Sequence, residues 1–214
     1  PIDYLIHSTG SGIKDFRTGE TLLSVNMPET DVVTAVRVFT RFGLDLMIHF
    51  PLPDNHLFSY WTANGRNGDF ATRIDLYHGY ASRIDDPARW SGPAAQLLAM
   101  SDPDRIDVIL PDLRRSLDGF SVINTTSPLN GTTRWIEVFP AGVSKGHAVE
   151  WLAKHCGVER ADTASVGNDY NDCEMLEATA SSYVVENAPA RLREMFFTVP
   201  SHNENGVSSA ITHW

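Results

Sequence analysis

Six consecutive residues, Gly167-Asn168-Asp169-Tyr170-Asn171-Asp172, constrain this chain more than any other stretch. The apolar run Thr163-Ala164-Ser165-Val166 before them reads as a buried strand, and Cys173–Ala178 after them reads as a helix. Two carboxylates and two amides therefore crowd into a strand-to-helix loop with a glycine at its bend. Packed acids repel one another, which is costly unless positive charge sits between them. In an open α/β sheet such a loop lies at the carboxyl end of a strand, where ligands bind. Oxygen donors clustered there suit a hard cation such as Mg²⁺, which takes few protein carboxylates and shares a substrate phosphate. The competing reading is a solvated turn capped by Asn171.

A second feature favours a ligand. Lysine occurs only at Lys14, Lys145 and Lys154 among 17 basic residues. Lys145 opens an amphipathic helix in which Val149, Leu152, Ala153 and Cys156 recur at helical spacing and Gly157 is the expected stop. A cation in the first turn of a helix opposes the macrodipole. Local stability does not explain Lys145 there; the readings left are an anionic ligand and a plain surface lysine, and the order of the surrounding elements favours the first. From residue 136 onward strands and helices alternate, which predicts a parallel sheet with crossover helices.

The run Trp135-Ile136-Glu137-Val138-Phe139-Pro140-Ala141-Gly142-Val143-Ser144-Lys145-Gly146, the acidic loop, Val184-Val185-Glu186-Asn187-Ala188-Pro189 and Asn203-Glu204-Asn205-Gly206-Val207 follow in order. Together they resemble the C-terminal half of Cof-type hydrolases of the haloacid dehalogenase superfamily. Tyr4-Leu5-Ile6-His7-Ser8-Thr9-Gly10 resembles the family's strand before its inserted cap domain. The resemblance implies an α/β fold: a Rossmann-like core with a parallel sheet, from residues 1–27 and 134–214, and an α+β cap from residues 28–133. It implies Mg²⁺-dependent hydrolysis of small phosphorylated metabolites such as sugar phosphates, through an aspartyl-phosphate. Lys145 becomes the catalytic lysine that neutralises the phosphoryl group. Asn168, Asp169 and Asp172 become the metal-holding set, and Asn171 a phosphate-binding residue.

Two departures stand out. The family places an acid directly after the loop glycine, where this chain has Asn168, with Asp169 next. The family's nucleophile lies in an Asp-x-Asp-Gly-Thr motif, and no such run occurs here. Asp102-Pro103-Asp104 has the spacing but no apolar strand before it. The expectation is an attacking carboxylate outside this chain, which alone does not turn over; the alternative is a non-catalytic binding or regulatory module on the same fold.

A net charge of −10 argues against nucleic acid or an acidic membrane surface as partner. No apolar stretch is long enough to span a bilayer and no signal peptide is evident, so a cytoplasmic location is expected. The oligomeric state is left open. Cys156 and Cys173 are expected as buried free thiols. Within 28–133, Glu29–Phe42 reads as a helix and Leu44–Phe50 as a strand. The span 51–69 reads as irregular, with Phe58, Tyr60 and Trp61 as a candidate substrate lid. Pro93–Ala99 reads as a helix start, Ile106–Ile109 as a strand and Pro111–Leu117 as a helix. Phe120–Asn124 and Arg134–Val138 read as neighbouring strands.

Overall fold

The computed structural model describes residues 2–63 and 67–214. Gly65, part of the stretch read as irregular, lies outside the described residues. The chain opens with an antiparallel sheet of β1 (Tyr4–His7), β2 (Gly12–Asp15) and β3 (Thr21–Ser24). The first strand stops at His7 because Ser8, Thr9 and Gly10 all turn to positive φ, at 49°, 55° and 104°. α1 (Glu29–Arg41) follows, with Glu29 and Asp31 in its first turn and Arg41 in its last, each complementing the helix dipole. Val32, Val36 and Phe39 give it a buried face.

A second sheet contains β4 (Leu46–His49), β5 (Phe58–Trp61), β6 (Ala81–Arg83), β7 (Gln96–Ser101), β8 (Phe120–Thr126) and β9 (Arg134–Pro140) in the order β6-β5-β4-β7-β9-β8. It is antiparallel except between β5 and β6. Side chains alternate across it. Leu46, Ile48, Leu97, Ala99, Ile136 and Val138 pack in one cluster with α1 and with Ile106 and Leu113 of α3 (Pro103–Ser116). Met47, Leu98, Met100 and Trp135 face the other way, with Phe70 of α2 (Gly68–Leu76). β9 pairs on both sides within this sheet, so a division between residues 133 and 134 would cut off a strand that its hydrogen bonds assign to 46–126.

Three readings of this region are corrected. Residues 96–101 form a strand, not a helix: all six are buried, so neither face shows alternation. Ile106–Ile109 lies inside α3, where Ile106, Ile109, Leu110 and Leu113 make one apolar stripe. Pro111 had broken that stripe into two pieces; it stands on the exposed side, where its missing N–H costs less than the burial gained. Phe58, Tyr60 and Trp61 form β5 in the sheet, with Phe58 fully buried, and not a lid.

The remaining chain runs α4 (Lys145–Cys156), β10 (Ala164–Gly167), α5 (Cys173–Ala178), β11 (Ser181–Val185), α6 (Ala190–Met195), β12 (Phe197–Val199) and α7 (Gly206–His213). β10, β11 and β12 form a parallel sheet in that order. Leu176, Val184, Leu192, Val199 and Ala210 pack in its core. Gly157 ends α4 at φ 67°, as expected. The residues of α4 that bury fully are Gly146 and Ala148; Val149, Leu152 and Ala153 are only half-buried. Cys156 is exposed and Cys173 half-buried, so the expectation of two buried thiols fails: Cys156 closes α4 at the surface, while Cys173 opens α5 and packs only partly against the core of the parallel sheet. No helix among the described residues is long and apolar enough to cross a membrane.

Candidate active site

β10 ends at Gly167, and residues 170–172 form one tight turn before α5. That turn reverses the chain so that Asp172 points back under its own loop. Its Oδ2 accepts the backbone N–H groups of Asn168 (2.8 Å) and Asp169 (3.3 Å). Its Oδ1 lies 2.5 Å from Lys145 Nζ. The carboxylate is nearly inaccessible, while Lys145 keeps 31% of its side chain exposed. Burying Asp172 is tolerable because a cation and two N–H groups meet it.

Lys145 reaches this position because α4 lies unusually close to α5. A β-carbon on Gly146 would stand 2.6 Å from the Glu174 carbonyl oxygen. The Ser144 hydroxyl caps α4 by accepting the His147 N–H at 3.1 Å. The 8–10 turn packs against the same cap: a β-carbon on Gly10, at φ 104°, would come within 2.3 Å of the Ser144 carbonyl oxygen.

These elements wall a cleft of about 920 Å³. Lys145, Asn168, Asp169 and Asn171 line one end. Asp169 Oδ1 accepts the Tyr170 N–H at 2.7 Å, and its Oδ2 receives the Thr126 N–H from β8 at 3.4 Å. The cleft is also lined by Thr9, by Thr125, Thr126, Trp135 and Glu137 of the larger sheet, and by Asn187 and His202. Asn187 donates from Nδ2 to His202 Nδ1 at 2.7 Å and accepts the His202 N–H at 3.2 Å. Trp135 is fixed by its indole N–H, which donates to Asp69 at 2.7 Å, and by Arg73 over its ring. Burial pushes the Glu137 carboxyl above the usual range, against the opposing pull of the Thr9 hydroxyl, Arg73, Lys145 and Gln96.

The sequence-nominated residues thus divide. Lys145, Asn168, Asp169 and Asn171 face the cleft; Asp172, nominated with them as a metal-holding residue, does not line it and has both oxygens engaged. Asp172 Oδ1 pairs with Lys145 instead. Among the described residues no group of three or more His, Cys, Asp or Glu side chains gathers as a metal-binding cluster. From the 167–172 loop the oxygen donors left to a cation are one carboxylate, Asp169, and the amides of Asn168 and Asn171. Such a set fits Mg²⁺, which commonly takes one or two carboxylates and completes its shell with water and phosphate oxygens. Sequence reasoning missed Thr9, Thr126, Trp135, Glu137, Asn187 and His202 as cleft residues. The one signal available was a glutamate in the middle of an otherwise apolar strand.

A clamped lysine, a neighbouring carboxylate and further polar side chains thus meet in one cleft. Comparison with known proteins gives the family. The model of the haloacid dehalogenase-like hydrolases matches residues 2–211. A Streptococcus pyogenes protein with a provisional phosphatase name is 24% identical over 215 residues, covering 99% of this chain and 76% of that protein. The HMP-PP phosphatase of Escherichia coli is 36% identical over 85 residues, which are 38% of this chain and 33% of that one. The solved HAD subclass IIB sugar phosphatase BT4131 superposes with a TM-score of 0.75 at 16% identity, over 99% of this chain and 75% of that one. The fold, the match along nearly the whole chain and the relatives place this protein in the haloacid dehalogenase-like hydrolase family, in its Cof-type phosphatase branch.

Proposed function

We propose that this protein is a Mg²⁺-dependent phosphomonoester hydrolase for small phosphorylated metabolites such as sugar phosphates, working through an aspartyl-phosphate whose attacking carboxylate lies outside these 214 residues. The observation that carries this reading is Lys145, held 2.5 Å from buried Asp172 while still facing the cleft. A fixed ammonium meets negative charge on phosphoryl oxygens without reorganising when the charge shifts. Asp169 and the Asn168 amide oxygen would hold Mg²⁺, which supplies further positive charge to the phosphoryl group when bound. The Asn171 amide orients a phosphate oxygen at the same end. The names of the relatives, a sugar phosphatase and an HMP-PP phosphatase, support a small phosphorylated substrate. We further read residues 28–140 as a cap over a core of 1–27 and 141–214, since the pairing of β9 draws it to the cap sheet. Free thiols at Cys156 and Cys173 suit a cytoplasmic location.

The test is calorimetric titration of inorganic phosphate into the 214-residue chain, with and without Mg²⁺, alongside p-nitrophenyl phosphate turnover. Expected are Mg²⁺-enhanced binding, at least a tenfold loss in Lys145→Ala, and no turnover. Absence of phosphate binding would sink the site assignment. Rapid turnover by the chain itself would place the nucleophile within it. The absence of an Asp-x-Asp-Gly-Thr run also favours a non-catalytic module. That reading prevails if phosphate binds and the natural full-length protein shows no hydrolysis.

A further inference from the structure

Glu137 interrupts an apolar row. Across the larger sheet Met47 of β4 stands opposite Leu98 of β7, and Leu98 stands opposite Glu137 of β9. The first two are fully buried beneath α2's face of the sheet, and Trp135, two residues before Glu137, belongs to the same cluster. At Glu137 the row leaves the core and becomes a wall of the cleft that holds Lys145. A carboxylate in that position loses water without gaining a full partner. Among the described residues it makes no ion pair within 4.0 Å. Its hydrogen bonds come from the Thr9 hydroxyl, at a long 3.3 Å, and from Gln96.

Thr9 is itself held at a cost. It is β-branched yet sits at φ 55°, ψ 21°, a left-handed conformation that such residues rarely adopt. Strain of this kind persists where surrounding structure enforces it, and it collects at ligand-contacting positions. Here it aims the Thr9 hydroxyl at Glu137 inside the cleft. The surrounding wall, Thr125 and Thr126, adds further hydroxyl groups, that of Thr126 accepting from Arg134 Nη1 at 2.6 Å.

We propose that Glu137, presented together with Thr9, is the specificity-determining pair of this site, accepting hydroxyl donors from a neutral, polyhydroxylated leaving group whose phosphate lies at Lys145. This rests on the phosphate site proposed above and adds what that reading does not assign: which residues discriminate the organic part. A carboxylate satisfies hydroxyl donors by charge-assisted bonds and repels a second anionic group. A site whose buried acceptor is left unpaired by a ligand lacking hydroxyls discriminates against that ligand.

The experiment is calorimetric titration, in excess Mg²⁺, of inorganic phosphate, ethyl phosphate, ribose 5-phosphate and glucose 6-phosphate into the full chain, the Glu137→Gln variant and the Thr9→Val variant. The wild type is expected to bind at least one sugar phosphate tenfold or more tighter than ethyl phosphate. In Glu137→Gln that preference should fall below threefold, while ethyl phosphate binds as tightly as before or tighter, because a nearby negative charge is gone. Thr9→Val, with the same branching, should lose part of the preference. An undiminished preference in Glu137→Gln, or equal weakening of all ligands, overturns the assignment. If phosphate and ethyl phosphate bind through Lys145 but no sugar preference exists, only this inference fails. If inorganic phosphate does not bind at all, the underlying site assignment fails with it.

Discussion

Asp172 and Asp169 lie three residues apart and carry different burdens. Asp172 is buried against Lys145 and two backbone N–H groups; Asp169 faces the cleft. Asp172→Asn is therefore expected to lower unfolding free energy by about 2 kcal/mol, below the usual range for breaking a buried pair because Lys145 is partly solvated. Asp169→Asn should cost under about 0.5 kcal/mol, as a partly exposed change, yet weaken Mg²⁺-dependent phosphate binding more than tenfold. Urea denaturation and titration separate the two. A pH effect is also expected. Burial depresses His49 to about 4 from 6.5. Between those values the unfolded chain binds the proton that the folded one refuses, so stability falls as pH drops from 6.5 toward 4. The slope reaches at most about 1.4 kcal/mol per pH unit. His49→Phe should flatten that part of the stability curve. At this scale the meeting of Lys145 with the 167–172 loop was legible, since a lysine in a first helical turn and crowded acids each call for opposite charge. Glu137 was not. An acid within a strand normally marks the solvent face, and only the packing of neighbours shows that its face is first core and then cleft.

At the scale of elements, the contact that matters most is α4 on α5. Its closeness depends on the absence of a side chain at residue 146, where an added carbon would collide with the Glu174 carbonyl. Gly146→Ala should push the helices apart, cost about 1–3 kcal/mol of stability as overpacking does, and lengthen the Lys145–Asp172 pair. Weaker phosphate affinity accompanied by a lowered melting temperature would be the signature; an unchanged melting temperature would show that α4 adjusts freely. α1 and α4 were readable from periodicity and end signals, and β10 from its place before an acidic loop. β7 and α3 were not, for opposite reasons: β7 is buried on both faces and shows no period, and α3 carries a proline at 111 that interrupts a real one. In both, tertiary burial overrides the local cue.

On the scale of the molecule, the six-stranded sheet and the parallel sheet each cover a core of their own. One gathers around Phe39 and the six-stranded sheet, the other around Val184 and the parallel sheet. Phe39→Ala should cost about 3–5 kcal/mol and speed amide exchange through residues 46–140 while leaving 164–199 largely protected. Uniform acceleration would instead mean that the two sheets unfold as one. The alternating pattern after residue 136 made the parallel sheet legible in advance; the larger sheet, with non-consecutive neighbours such as β4 beside β7 and β7 beside β9, required the assembled structure. The row Met47–Leu98–Glu137 carries one more implication. Where a core face turns into a cleft wall, sturdiness and selectivity compete for the same side chain. A leucine at 137 would continue the apolar row and remove a carboxylate that burial disfavours, so Glu137→Leu is expected to melt higher than the natural chain and to lose its choosiness among phosphate esters. Random drift toward greater robustness would erase this acid first, and its retention in any descendant would record selection on what the cleft admits rather than on how firmly the chain is folded.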